Sequence, residues 1–104
     1  LVHWGVEYDP APSERQRRLA RFLAGAGVDV VVGSHPHVVQ PVERESGAVV
    51  FYSLGNFVFD QQWSAETSRG ALAAVDFSGG EVARARLLPL RLDPPGFPRL
   101  VPGP

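Results

Sequence analysis

The stretch that most restricts how this chain can fold is Val28-Asp29-Val30-Val31-Val32, which runs directly into Gly33-Ser34-His35-Pro36-His37. Branching at Cβ favours extended backbone, and near-continuous valine suits a parallel strand covered on both faces. A parallel strand needs a partner reached by a crossover, and the sequence upstream supplies one. Leu1 to Trp4 reads as the end of a strand, and Gly5 to Pro12 as the loop leaving it, since Pro10 and Pro12 forbid regular continuation. Ser13 then offers an N-cap, with Gln16 completing a capping box and Glu14 favourably placed in the first turn. Leu19, Phe22, Leu23 and Ala26 follow at helical spacing and predict an apolar stripe facing the core. Arg17, Arg18 and Arg21 fall elsewhere on that helix and read as a solvated face, while Gly25 and Gly27 end it. Positions 1 to 32 therefore predict a βαβ unit with two parallel strands and a right-handed crossover.

Beyond it, Pro41 to Arg44 and Ala48 to Ser53 flank a Glu45-Ser46-Gly47 turn and predict a hairpin. Residues 60 to 69 read as a loop. Gly70 to Phe77, Ser78-Gly79-Gly80 and Glu81 to Leu88 form the clearest hairpin signal, because the glycines supply the positive φ of a tight turn. Arg84 and Arg86 alternate with Ala83, Ala85 and Leu87, which predicts one solvated and one packed face. From Asp93 the proline-rich segment 93–104 reads as an extended tail outside any sheet interior, leaving 1–92 as the folded part. The class is α/β.

With 104 residues there is room for one modest domain. A net charge of -1 gives no broad attraction to nucleic acid, and Trp4, Phe57, Phe59 and Trp63 read as core or pocket wall rather than a stacking platform. The cations are all arginine, so a lysine nucleophile or Schiff base is excluded, and the lack of cysteine excludes disulfides and thiolate chemistry. No apolar run reaches the roughly 18 residues of a membrane span. The chain opens inside a strand without methionine and reads as a piece of a longer protein.

The remaining chemistry concentrates on histidine. His3 and His35 each follow a predicted parallel strand, and the carboxyl edge of such strands is where open α/β sheets hold ligands. His37 lies two residues on, and an extended backbone at Pro36 would turn both rings toward a common point. A lone His-x-His is weak evidence, since loop histidines mostly just form hydrogen bonds; it is the placement of all three at strand ends that makes a partial metal site. A two-metal hydrolytic site also wants a bridging carboxylate. Glu7 is the nearest candidate, as a surface group or as a partner to a ligand. Asn56, the only asparagine, reads equally as a turn residue after Gly55 or as a polar group at the site edge.

Three ordered stretches, His3 to Tyr8, Ala26 to Gln40 and Phe51 to Phe59, closely resemble the poly-gamma-glutamate capsule-synthesis protein CapA family, within the calcineurin-like metallophosphoesterase superfamily. The resemblance covers residues 1 to about 90. It implies the C-terminal half of a two-sheet sandwich flanked by helices, the βαβ unit being followed by antiparallel strands. It carries metal-ligand roles onto His3, His35 and His37, with His35 and His37 also able to transfer a proton, and leaves Glu7 and Asn56 as supporting or substrate-contacting groups. Two divalent ions of the Mn, Fe or Zn class are implied for the parent protein. So are a bacterial cell-envelope setting and an anionic polymer or phosphoester substrate, with no nucleic acid. The superfamily's carboxylate and Asn-His motifs lie upstream of Leu1, so this piece alone is expected to be inactive and to need the missing N-terminal half. A non-catalytic polymer-binding or assembly role and a generic metal-dependent phosphodiesterase are the alternatives.

Overall fold

The computed structural model describes residues 1–59, 61, 64–94 and 96–101. Its elements are β1 (Val2–His3), α1 (Glu14–Gly25), β2 (Val30–Ser34), β3 (Val42–Glu45), β4 (Ala48–Phe51), β5 (Arg69–Ser78), β6 (Glu81–Asp93) and β7 (Phe97–Leu100). They form a four-stranded sheet in the order β1-β2-β4-β3 and a three-stranded sheet in the order β5-β6-β7. Strands β1, β2 and β4 run parallel, β3 antiparallel to β4, and the second sheet is wholly antiparallel. A mixed sheet carrying a helix beside an antiparallel sheet is the architecture of part of a calcineurin-like domain.

The valine run is β2, paired to β1 on one side and β4 on the other. β4 is buried at every position. Because side chains alternate, this requires cover on both faces. Val31, Val50 and Tyr52 meet Trp4 and Ala20, with Leu23 and Val28 packed against them. β3 and β4 also contact β6, and Arg44 donates to the Val82 carbonyl, which joins the two sheets.

The helix starts and stops as its sequence predicts. Ser13 accepts from the Gln16 N–H, Gln16 Oε1 accepts from the Ser13 N–H, and Gly27 at φ 98° lets Val28 close back on Leu23. Its buried face differs from the predicted stripe, because the buried residues are Gln16 and Ala20, while Leu19 and Phe22 are exposed. The cause is Gln16, whose amide donates to Gln40 Oε1 at 2.8 Å while Gln40 holds the Asp9 and Ala11 carbonyls. Tying Gln16 inward turns the 16–20–23 row to the sheet; only Leu23 belongs to both rows. Arg17 is also more than solvated: it pairs with Glu43 at 2.6 Å and lies over the Tyr52 ring.

Both predicted hairpins form. Ser46 and Gly47, both at positive φ, make the two-residue turn between β3 and β4. The single packed face expected for β6 does not hold along its length, since Leu90 and Leu92 are buried on the side that carries Arg84 and Arg86. A strand of 13 residues outruns the first sheet, so its two ends meet different surroundings. Within the expected tail, Phe97–Leu100 pairs with β6 as an edge strand, the one sheet position where Pro98 is tolerated. Trp63 and the prolines 95, 102 and 104 lie outside the described residues.

One of the tightest approaches in the fold is at Gly33. The Trp4 indole Nε1 donates to the Tyr52 carbonyl at 2.8 Å across it, and a Cβ there would collide with both atoms. Gly33→Ala should therefore cost about 1–3 kcal/mol or more, the range for overpacking a tight interior. Chemical denaturation followed by circular dichroism checks it, with a lowered midpoint expected.

Candidate metal centre

The parallel register places Val2 opposite Gly33 and His3 opposite Ser34, so β1 and β2 end together. His3 closes β1 and His35 follows β2 directly, and their ring centroids lie 4.4 Å apart. His37 is 5.7 Å from His35 by the same measure. The three imidazoles thus gather at one carboxyl edge. Glu7 stands beside them, its Oε1 3.9 Å from His35 Nε2.

The route by which His35 and His37 come together is not the extended backbone expected around Pro36. His35 has φ 103° and His37 φ 62°, and Tyr8 in the facing loop has φ 66°. Non-glycine residues rarely adopt such values, which cost on the order of 1–3 kcal/mol each and persist only where the surroundings enforce them. The enforcing contacts are visible. The Trp4 N–H donates to the Ser34 carbonyl and the Tyr8 N–H to the Pro36 carbonyl at 2.8 Å, while Pro36 itself is buried. Strain of this kind collects where side-chain direction matters more than backbone comfort.

Asn56, buried at 4% exposure, is a partner to His37 rather than a simple turn residue. Its amide nitrogen donates to the Thr67 carbonyl at 3.0 Å and to Gln61 Oε1 at 3.2 Å, which uses both N–H groups. Its Oδ1 is left facing His37 Nδ1 at 3.0 Å. The oxygen accepts, so Nδ1 carries the proton and Nε2 keeps its lone pair for a ligand. Asn56 is itself fixed by Gly70, where a Cβ would collide with the Asn56 carbonyl, and by the Gly55–Gly70 bridge to β5.

Sequence reasoning missed Tyr8 and Arg15. The Tyr8 ring lies 6.1 Å from His37, and its phenol is held above its usual range, first by loss of solvent and then by the charge and hydrogen bond of Glu7. Tyr8 stood inside the His3–Tyr8 stretch, but its left-handed backbone carries no sequence signal. Arg15 and Leu19 line a cleft of about 600 Å³ shared with His3 and His35. The Phe59 ring lies 5.5 Å from His37, but Phe59 and Phe57 are both exposed and neither joins the core.

As donors, neutral imidazoles suit a borderline divalent ion. Among the described residues, however, no group of three or more His, Asp or Glu side chains stands at metal-binding spacing. The chemistry of the three imidazoles suits such an ion, while their spacing among the described residues does not form a site for it.

The chain is 49% identical to the PGA biosynthesis protein CapA of Bacillus subtilis over 88 residues, 85% of this chain and 23% of that protein. It is 44% identical to the capsule biosynthesis protein CapA of Bacillus anthracis over 91 residues, 88% of this chain and 22% of that protein. A protein of Mycobacterium tuberculosis described as a probable polyglutamine synthesis accessory protein is 28% identical over 98 residues, 88% of this chain and 26% of its own length. The chain thus spans about a quarter of the length of these curated relatives. The family model described as bacterial capsule synthesis protein PGA_cap matches residues 1–61, more than half of the sequence, and the chain belongs to that family.

Proposed function

We propose that the chain serves in the synthesis of a capsule or poly-gamma-glutamate polymer at the bacterial cell envelope, as the histidine-bearing part of a metal centre. The gathering of His3, His35 and His37 at one sheet edge is the observation that carries the metal-centre part. The polymer and the setting rest on the names of the relatives. No helix among the described residues is long and apolar enough to cross a membrane.

His3, His35 and His37 would hold a divalent ion of the Mn, Fe or Zn class, with a second ion and the bridging carboxylate supplied from elsewhere in the parent protein. When bound, such an ion would supply Lewis-acid polarisation of a phosphoryl or acyl oxygen and would acidify a water. The chain's own groups orient one another and hold protons around it. Asn56 keeps His37 in the tautomer that offers Nε2. Glu7, 3.9 Å from His35 Nε2, faces that ring and helps orient it, and Tyr8, kept protonated, donates a hydrogen bond to Glu7 at the site's rim. The substrate class is an anionic polymer or a phosphoester.

A non-catalytic role in binding or assembling the polymer is the second reading. It is favoured by the incomplete donor set among the described residues.

Calorimetric titration with Mn²⁺ and Zn²⁺ tests the metal assignment. Replacing His3, His35 and His37 together by alanine should weaken binding roughly tenfold or more, and unchanged affinity would overturn the assignment. For Asn56→Leu, nitrogen-15 chemical shifts of His37 should show mixed tautomers, with metal affinity lowered by roughly 10–100-fold. A His37 ring still protonated only at Nδ1 would remove Asn56 from its positioning role.

A further inference from the structure

Arg69, Arg91 and Arg99 stand directly opposite one another across the second sheet, through the pairs Arg69–Arg91 and Arg91–Arg99. Opposed residues share a face, with Cβ atoms about 4.5–5.5 Å apart, and like charges there destabilise a sheet. Three guanidiniums in a row therefore weaken the free fold. Arg99 is relieved by Asp93, donating from Nε at 2.8 Å. Asp93 is held below its usual range mainly by that contact, with the charge of Arg91 adding to it. Among the described residues Arg69 and Arg91 form no ion pair, and both are exposed.

These two arginines line a groove of about 970 Å³ whose floor includes Ala71, Leu87, Pro89 and Val101. Adjacent guanidinium forks beside short apolar side chains complement a ligand in which carboxylates recur along a methylene-bearing backbone. Guanidinium matches carboxylate with two parallel hydrogen bonds. A small anion would leave the apolar floor unused. Single-stranded nucleic acid would want aromatic platforms, and none of the lining residues is aromatic.

We propose that this groove binds an anionic polymer of carboxylate-bearing units, anchored by Arg69 and Arg91. The identity of the polymer rests on the capsule-synthesis role argued above, but the site is separate from the imidazoles. The two are linked by one segment, because Thr67, two residues before Arg69, accepts from the Asn56 that holds His37.

The test is fluorescence anisotropy with a labelled oligomer of γ-linked glutamate, in metal-free buffer. Three variants are compared with the unmodified chain: Arg69→Gln with Arg91→Gln, Arg84→Gln with Arg86→Gln on the other face of β6, and the triple histidine-to-alanine variant. Loss of affinity by roughly tenfold or more in the first variant alone is expected, since charge-assisted hydrogen bonds are lost only there. That variant should melt no lower than the parent, because it removes opposed like charges, so lost binding would not reflect lost folding. Equal affinity in the first variant, or no binding by the unmodified chain, would overturn the proposal. So would inorganic polyphosphate binding more tightly through the same two arginines. If the groove fails while metal affinity still depends on the histidines, the metal centre stands; loss of histidine-dependent metal binding with polymer binding intact would leave the groove standing alone.

Discussion

The hydrogen bond from the Trp4 indole to the Tyr52 carbonyl, passing over Gly33, is the contact on which the rest of the structure depends. It joins the residue after β1 to the residue after β4 across the end of β2. Three parallel strands are thereby brought to a common edge. Only glycine lets the indole and the carbonyl approach so closely, and the Trp4 ring also stacks on Tyr52, with centroids 5.7 Å apart. His3 and His35 take their positions from this edge, His3 beside Trp4 and His35 two residues beyond Gly33.

A second constraint acts from the other sheet. Gly55 and Gly70 bring the start of β5 against the Leu54–Asn56 turn, and Ala71 donates to the Leu54 carbonyl at 2.8 Å. This contact buries Asn56 and lends it the Thr67 carbonyl, which fixes the direction of its amide and hence the proton on His37. The imidazole cluster is therefore held from two sides: the parallel sheet sets where His3 and His35 begin, and the antiparallel sheet sets how His37 points. The backbone strain at His35 and His37 sits between these two supports.

Local signals were legible wherever a few adjacent residues decide the structure. The Ser13–Gln16 capping box, the glycine after α1 and the Ser46-Gly47 and Gly79-Gly80 turns belong to this class, because each satisfies its own hydrogen bonds or φ requirement within one turn. The buried face of the helix is not legible in its spacing, because Gln16, a polar residue, finds Gln40 across 24 positions and turns inward. Leu19 and Phe22 are left exposed by that rotation. The packed face of β6 escapes the sequence for a related reason, since alternation gives a strand two faces but not which neighbour covers each end. Proline content argues against sheet interiors but is silent about an open edge, which is where Phe97–Leu100 pairs.

The sequence by itself determined the βαβ unit, the two hairpins and the position of His3 and His35 at strand ends, since periodicity, caps and turn residues act over short range. It also named His37, Glu7 and Asn56 as residues worth placing. Only the tertiary structure decided that His35 and His37 reach the cluster through left-handed backbone, that Asn56 orients His37, and that Arg69, Arg91 and Arg99 form one row. The physical reason is common to all three. Each depends on which distant segments pack together, and a ring's tautomer or a charge's neighbours are set by those contacts rather than by the residues beside it in the chain.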